Sequence, residues 1–206
     1  VMAVPYKAPV KDIVFGYEVI DSYNVLNKIS AFSDFSEDIV IPTMEECAKF
    51  SEEVLAPINA IGDQQGATIK DGVVTMPEEF VDAYQKFAEA GWASISLPSD
   101  IGGGGMPITL SGGTLEILST ANLAFGLAPG LSAGAISAIN FHGSQEQKDK
   151  FLPKLVSGEW TGTMNLSEPQ SGSDLGTITT KAEPQEDGSY KICLLYTSDA
   201  ADDRLS

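Results

Sequence analysis

Between Ser36 and Pro57 the chain reads SEDIVIPTMEECAKFSEEVLAP, and Val40, Met44, Cys47 and Val54 recur at helical spacing with Phe50 beside the stripe. Ser36 stands at an N-cap position, and Glu37 and Asp38 fall in the first turn, where the helix dipole favours acids. Pro42 is expected to kink this helix or delay its start, and Pro57 to end it. INAIGDQQGATIKDGVVTM follows as a loop or hairpin rich in Gly and Asp. TMPEEFVDAYQKFAEAG then predicts a second helix: Phe80, Tyr84 and Phe87 share a face, Thr75 and Glu78 match a capping box, and Gly91 sits at C′. Upstream, KAPVKDIVFGYEVID predicts one short helix after Pro9, and Tyr6, Phe15, Tyr17 and Tyr23 suggest an arm packed onto something larger.

Residues 117–145 carry no charge apart from His142. A continuous apolar run of about 20 residues, as a membrane span needs, is interrupted here by Gly126, Pro129, Gly130 and Gly134. The pattern predicts buried helices broken at residues 128–130. LPSDIGGGGMP lacks the Gly-Lys-Ser/Thr ending and the preceding strand of a phosphate loop, so it reads as a flexible turn between helices. GSQEQKDKFLPKLVSG gives a further capping box, Ser144 with Gln147, and Gly158 closes that helix. Residues 35–158 therefore describe a helical bundle.

The period changes at Glu159. Trp160, Met164 and Leu166 alternate with Thr161, Thr163 and Asn165, as on a strand. Ile178 and Ala182 then point one way and Thr177, Thr179 and Lys181 the other, with Asp187-Gly188 as a hairpin turn. The fold expected is mainly α, a helical bundle followed by the first strands of a β-domain.

The formal net charge of -17, from 12 basic and 29 acidic residues, repels nucleic-acid phosphates and anionic lipid heads. It does not bar a small anion held at short range by backbone N–H groups. Two cysteines, Cys47 and Cys193, and one histidine, His142, support neither a disulfide framework nor a Cys/His metal site. Cys47 reads as a residue of a helix face, and the low cysteine count fits a reducing, cytoplasmic setting. VMAVPYKAPV has no basic segment followed by an apolar stretch, so no signal peptide is expected.

Chemistry concentrates in NLSEPQSGSD, residues 165–174. Pro169 fixes its own φ and holds Glu168 extended. Ser171, Gly172 and Ser173 are small, so a ligand can approach backbone N–H groups and two hydroxyls. The preceding strand end offers N–H, C=O and the Ser167 hydroxyl to a planar polar ring. By itself this loop is a candidate site for a ligand with such a ring and a phosphate, but spacing and chemistry alone favour an ordinary surface loop.

In context the chain resembles the acyl-CoA dehydrogenase family. Gly143, Ser144, Gln147, Lys148, Leu152, Pro153, Leu155 and Gly158 match a family helix and turn, and Leu166, Ser167, Glu168, Pro169, Gly172, Ser173 and Asp174 match its signature. LPSDIGGGG is similar to another family turn, and YKAPVKDIVFGYEVID to the N-terminal segment of larger members, the methylthiopropanoyl-CoA dehydrogenases among them. The resemblance implies an N-terminal extension over 1–34, a helical domain over 35–158 and the start of a truncated β-barrel domain over 159–192. CLLYTSDAADDRLS, residues 193–206, matches nothing in the pattern and is expected to be non-native.

The same resemblance implies roles. Backbone at Met164, Asn165 and Leu166 and the Ser167 hydroxyl would contact the flavin ring of FAD. Ser173 would touch the FAD pyrophosphate and lie near the acyl-CoA, while Glu168, Pro169, Gly172 and Asp174 shape the loop. Ser167 stands where Thr is usual, which keeps the hydroxyl, and Met164 where many members carry an aromatic residue. The family removes the α-proton of an acyl thioester with a glutamate base and passes hydride from the β-carbon to flavin N5. That base belongs to a C-terminal helical domain, so the chain alone is expected to be inactive. The resemblance further implies electron-transferring flavoprotein as acceptor and a homo-oligomer. An acyl-CoA oxidase, or a helical binding module without catalysis, are the alternatives. Small residues at 131–140 either leave room for an acyl chain or serve tight helix packing.

Overall fold

The computed structural model describes residues 5–193, which divide into two units meeting between Thr163 and Met164. Pro9 precedes α1 (Val10–Val19), whose Val14 and Tyr17 face the core, and a short α2 (Ser22–Leu26) follows. Tyr6, Tyr17 and Tyr23 of the arm pack onto the bundle as expected, whereas Phe15 is exposed. The Tyr6 hydroxyl donates to the Ile117 carbonyl at 3.0 Å and lies 2.6 Å from Thr120 Oγ1, and Tyr17 donates to Thr109 O at 2.7 Å.

The first predicted stripe forms α3 (Glu37–Phe50), with Val40, Met44 and Cys47 fully buried. Ser36 occupies the N-cap position without a side-chain capping bond, and Pro42 lies inside the helix without delaying its start. Pro57 does not end it. A π-turn over Ser51–Leu55 leads straight into α4 (Ala56–Gln65), and Pro57 falls in the first turn of that segment, where a missing N–H is tolerated. Only the later part of the expected loop is a hairpin: β1 (Thr68–Lys70) pairs antiparallel with β2 (Val73–Thr75). Asp71 and Gly72 both take positive φ, the geometry of a type I′ turn.

Helix α5 (Glu78–Glu89) buries Phe80 and Phe87 and ends with Gly91 at φ 75°. The capping box expected from Thr75 and Glu78 does not form. Pro77 precedes the helix, and Thr75 is engaged in the hairpin, its hydroxyl 2.8 Å from that of Thr68.

The glycine-rich segment is not a loose turn. A Cβ on Gly103 would stand 2.2 Å from the Leu97 carbonyl oxygen, and one on Gly104 2.6 Å from that of Ile95. The N–H groups of Gly104, Gly105 and Met106 donate to Ser94, Leu97 and Ile95 at 2.9–3.1 Å. Donors spent in this way cannot cradle a phosphate.

The uncharged stretch forms α6 (Ile108–Ala121) and α7 (Leu123–His142). The break comes at Asn122 and not at residues 128–130, and Pro129 is carried inside α7. Asn122 is extended and its side chain caps the helix that follows, which a glycine or proline cannot do. Helix α7 has the length and apolar character of a membrane span, yet it is less buried than expected, with Leu123, Leu127 and Phe141 exposed. Helix α8 (Gln145–Val156) carries the complete Ser144–Gln147 capping box, and Gly158 follows at φ 77°. Tyr17, Val40, Met44, Leu110 and Ile117 belong to one core shared by α1, α3 and α6.

The strand expected across residues 160–166 is not formed among the described residues. Gly162 instead donates its N–H to Ser132 Oγ at 3.0 Å, and a Cβ there would lie 2.5 Å from that of Ala135. In the second unit β3 (Lys181–Pro184) pairs antiparallel with β4 (Tyr190–Cys193) around Asp187-Gly188, with Gly188 at φ 81°. Ile178 precedes this ladder instead of sharing a strand face with Ala182. Residues 194–206, which hold nearly all of the tail expected to be non-native, lie outside the described residues.

Candidate functional site

The signature loop is built on a short bridge. Glu168 N donates to Ser171 O at 2.8 Å, and Ser171 N donates to Glu168 O at 2.9 Å, closing a turn over Pro169 and Gln170. Ser171 is 1% exposed and its hydroxyl donates to Asp174 O at 2.8 Å. Thr177 Oγ1 donates to the carbonyls of Gln170 and Asp174, and Asp174 Oδ1 accepts from Gly176 N at 3.0 Å.

Glu168 closes the other side. It is 6% exposed, and its carboxylate accepts from Thr179 N and Oγ1, each at 2.9 Å, from Thr180 N at 2.9 Å, and from Thr180 Oγ1 and Gln170 Nε2. The Thr180 hydroxyl and then the Thr179 N–H pull its carboxyl down to about 2. Such a group stays ionised and gives up no lone pair readily, so it is an anchor and not a base.

The expected site residues divide accordingly. Met164, Asn165, Leu166, Ser167 and Ser173 are exposed, and the side chains of Asn165, Ser167 and Ser173 make no hydrogen bond among the described residues. The N–H groups of Gly172 and Ser173 are likewise unspent there. Ser171 departs from expectation: its hydroxyl is used internally, which leaves Ser173 to offer the accessible hydroxyl of this turn. The donor set suits an anion or a polar ring, as FAD presents, and among the described residues no cluster fit to hold a metal ion exists.

The first unit holds a separate feature that the sequence pattern did not reveal. A cavity of about 600 Å³ opens between α6, α7 and the segment after α5, lined by Trp92, Leu97, Leu118, Phe125, Gly130 and Ile136 among others. Three of its hydroxyls are spent within the protein, Ser96, Ser111 and Thr114 donating to the carbonyls of Pro107, Ile108 and Ser111 at 3.0–3.1 Å, and Ser137 and Asn140 are the remaining polar lining residues. The wall is therefore mainly apolar. The fold-back of the glycine segment builds this wall, bringing residues 92–94 against α7 and residues 99–101 against α8, and nothing in the sequence pattern signals it.

Of the small residues at 131–140, Ala133 and Ser137 line the cavity, while others serve tight packing. Ser132 and Ala135 receive Gly162 closely, while Gly130 lines the cavity and a Cβ there would meet nothing within 4 Å.

The family model described as "Acyl-CoA dehydrogenase, N-terminal domain" matches residues 42–159. The chain belongs to the acyl-CoA dehydrogenase family. This acyl-CoA dehydrogenase chain is 41% identical over 187 residues to the 3-methylmercaptopropionyl-CoA dehydrogenase of Ruegeria pomeroyi, an alignment covering 91% of this chain and 32% of that protein. A crystal structure of an acyl-CoA dehydrogenase complexed with FAD from Bacillus anthracis matches with a TM-score of 0.63 at 26% identity, covering 78% of this chain and 26% of that one. A structure described as the electron transferring flavoprotein of Acidaminococcus fermentans matches with the same TM-score and identity, over 77% of this chain and 39% of that one. The chain thus spans about a third of the length of the curated relatives it matches.

Proposed function

We propose that this chain is the N-terminal part of an FAD-dependent enzyme that introduces an α,β double bond into an acyl-CoA thioester. One observation carries the reading: Glu168 and Ser171 lock the signature loop from within, leaving the hydroxyls of Ser167 and Ser173 free to face a ligand. Backbone at Met164, Asn165 and Leu166 and the Ser167 hydroxyl would hold the flavin ring. Ser173 would hold the pyrophosphate and border the acyl-CoA. FAD, when bound, supplies the hydride acceptor.

The chain's own share of the work is binding and orientation. The apolar cavity of the first unit takes the acyl chain and keeps water from it. Glu168 does not remove the α-proton, because both its oxygens are occupied and its carboxyl is held at about 2. The base lies in a part of the enzyme outside this chain, and the chain alone is inactive. Likeness to the Acidaminococcus structure supports electron transferring flavoprotein as acceptor. A homo-oligomer in the cytoplasm completes the reading.

The test is flavin retention and acyl-CoA-dependent dye reduction by the protein made from the complete reading frame, against the 206-residue chain. The long form is expected to be yellow and active, and the chain to carry little flavin and no activity. Replacing Ser167 and Ser173 together by Ala should release flavin from the long form; unaltered flavin content in that variant would overturn the site.

A further inference from the structure

Asn122 joins three elements, two through its side chain and the third through its backbone. It is 1% exposed, its Oδ1 accepts from Phe125 N at 3.1 Å, and its Nδ2 donates to Leu55 O at 3.2 Å. Its backbone N–H donates to Leu118 O at 3.0 Å and its carbonyl accepts from Gly126 N at 3.1 Å. Leu118, Phe125 and Gly126 all line the apolar cavity, whereas Leu55, itself fully buried, belongs to the π-turn and is not part of the cavity wall.

We propose that Asn122 sets the spacing between α6 and α7 and thereby the acyl-chain length the cavity accepts, which makes it a positioning residue for the substrate. The proposal rests on the cavity being the acyl site.

The chemistry of the side chain carries the argument. Ser, Thr or Asp would cap the first turn of α7 equally well. Only an amide of this length combines the capping acceptor with a donor for the Leu55 carbonyl. That second bond ties the α6–α7 corner to the π-turn, and without it the corner loses its side-chain tether and is free to shift. The corner joins the two cavity-lining helices and is flanked by Leu118 and Phe125 of the wall, so a small shift there changes the gap between the helices.

Asn122→Ser and Asn122→Asp both keep the cap and both lose the donor. The 206-residue protein, with Trp160→Phe to leave Trp92 as the reporter in the cavity wall, is titrated with butyryl-, octanoyl- and palmitoyl-CoA by fluorescence. Either variant is expected to change the ratio of affinities between the shortest and longest ligand by roughly tenfold, the scale on which pocket dimensions discriminate methylenes. An equal loss of affinity for all three, or an unchanged ratio, overturns the proposal, whatever happens to thermal stability. If Asn122→Ser does not fold, Asn122→Asp is read in the same way. Failure of the unsubstituted protein to bind any of the three removes the cavity as acyl site, and the proposal with it, and differs visibly from a preserved ratio.

Discussion

Glu168 receives both the backbone N–H and the hydroxyl of Thr179, each at 2.9 Å, so one carboxylate fastens the signature loop to the segment that leads into β3. Replacing it by Gln removes acceptor capacity and turns an amide donor toward hydroxyls and N–H groups that are themselves donating. Glu168→Gln is expected to loosen residues 165–180 selectively, seen as faster amide exchange at Thr179 and Thr180 with the helical unit unchanged. The pH dependence has a definite sign. The folded-state carboxyl is held below its ordinary value, so its contribution is complete above the unfolded value and declines as pH falls toward about 2. Exchange protection of these two threonines should be flat through neutral pH and fall on strong acidification.

Burial pushes the Cys47 thiol up to about 12. It is fully buried in α3 and faces the Thr114 carbonyl. Thiolate is the reactive species, so Cys47 should resist a thiol reagent at pH 8 in native buffer and react promptly in denaturant. Mass spectrometry of a Cys193→Ser variant reports this directly; rapid native labelling would contradict the buried placement.

A methyl group on Gly103 meets the Leu97 backbone at 2.2 Å, where no flexible side chain can give way. Gly103→Ala is expected to cost about 1–3 kcal/mol, the usual penalty of overpacking, measured by urea denaturation. Gly112, where nothing lies within 4 Å, is the control: Gly112→Ala should leave stability equal or slightly raised.

Gly130 lies on the cavity wall with open space before it. Gly130→Leu is expected to preserve the fold and shorten the longest acyl-CoA bound, read as lost binding of palmitoyl-CoA with butyryl-CoA retained. Equal binding of both would place the acyl chain elsewhere.

Local signals were legible in the sequence where their partners were local too. Ser144 and Gln147 cap α8 as written, because both bonds lie within one turn. Thr75 offered the same pattern and failed, because Thr68 and the Asp71-Gly72 turn compete for it across the hairpin. Pro57 looked like a helix end, since the π-turn that accommodates it has no signature in the apolar stripe. Asn122 was invisible for a related reason: its role depends on Leu55, which only the packed core brings near. The loop residues Ser167 and Ser173 could be singled out from their small neighbours, whereas the internal use of the Ser171 hydroxyl depends on the fold of the turn. The cavity required the glycine segment to be seen folded back.

The Tyr6 hydroxyl closes on α6 at Ile117 and Thr120, a partner 114 residues further along the chain. During synthesis the arm therefore emerges long before the surface it fits. At ribosomal speeds of about 5–20 residues per second, it waits roughly 6 to 23 seconds for α6 to exist. The aromatic arm is thus made well before the helix it fits and is among the last elements of the bundle to be seated.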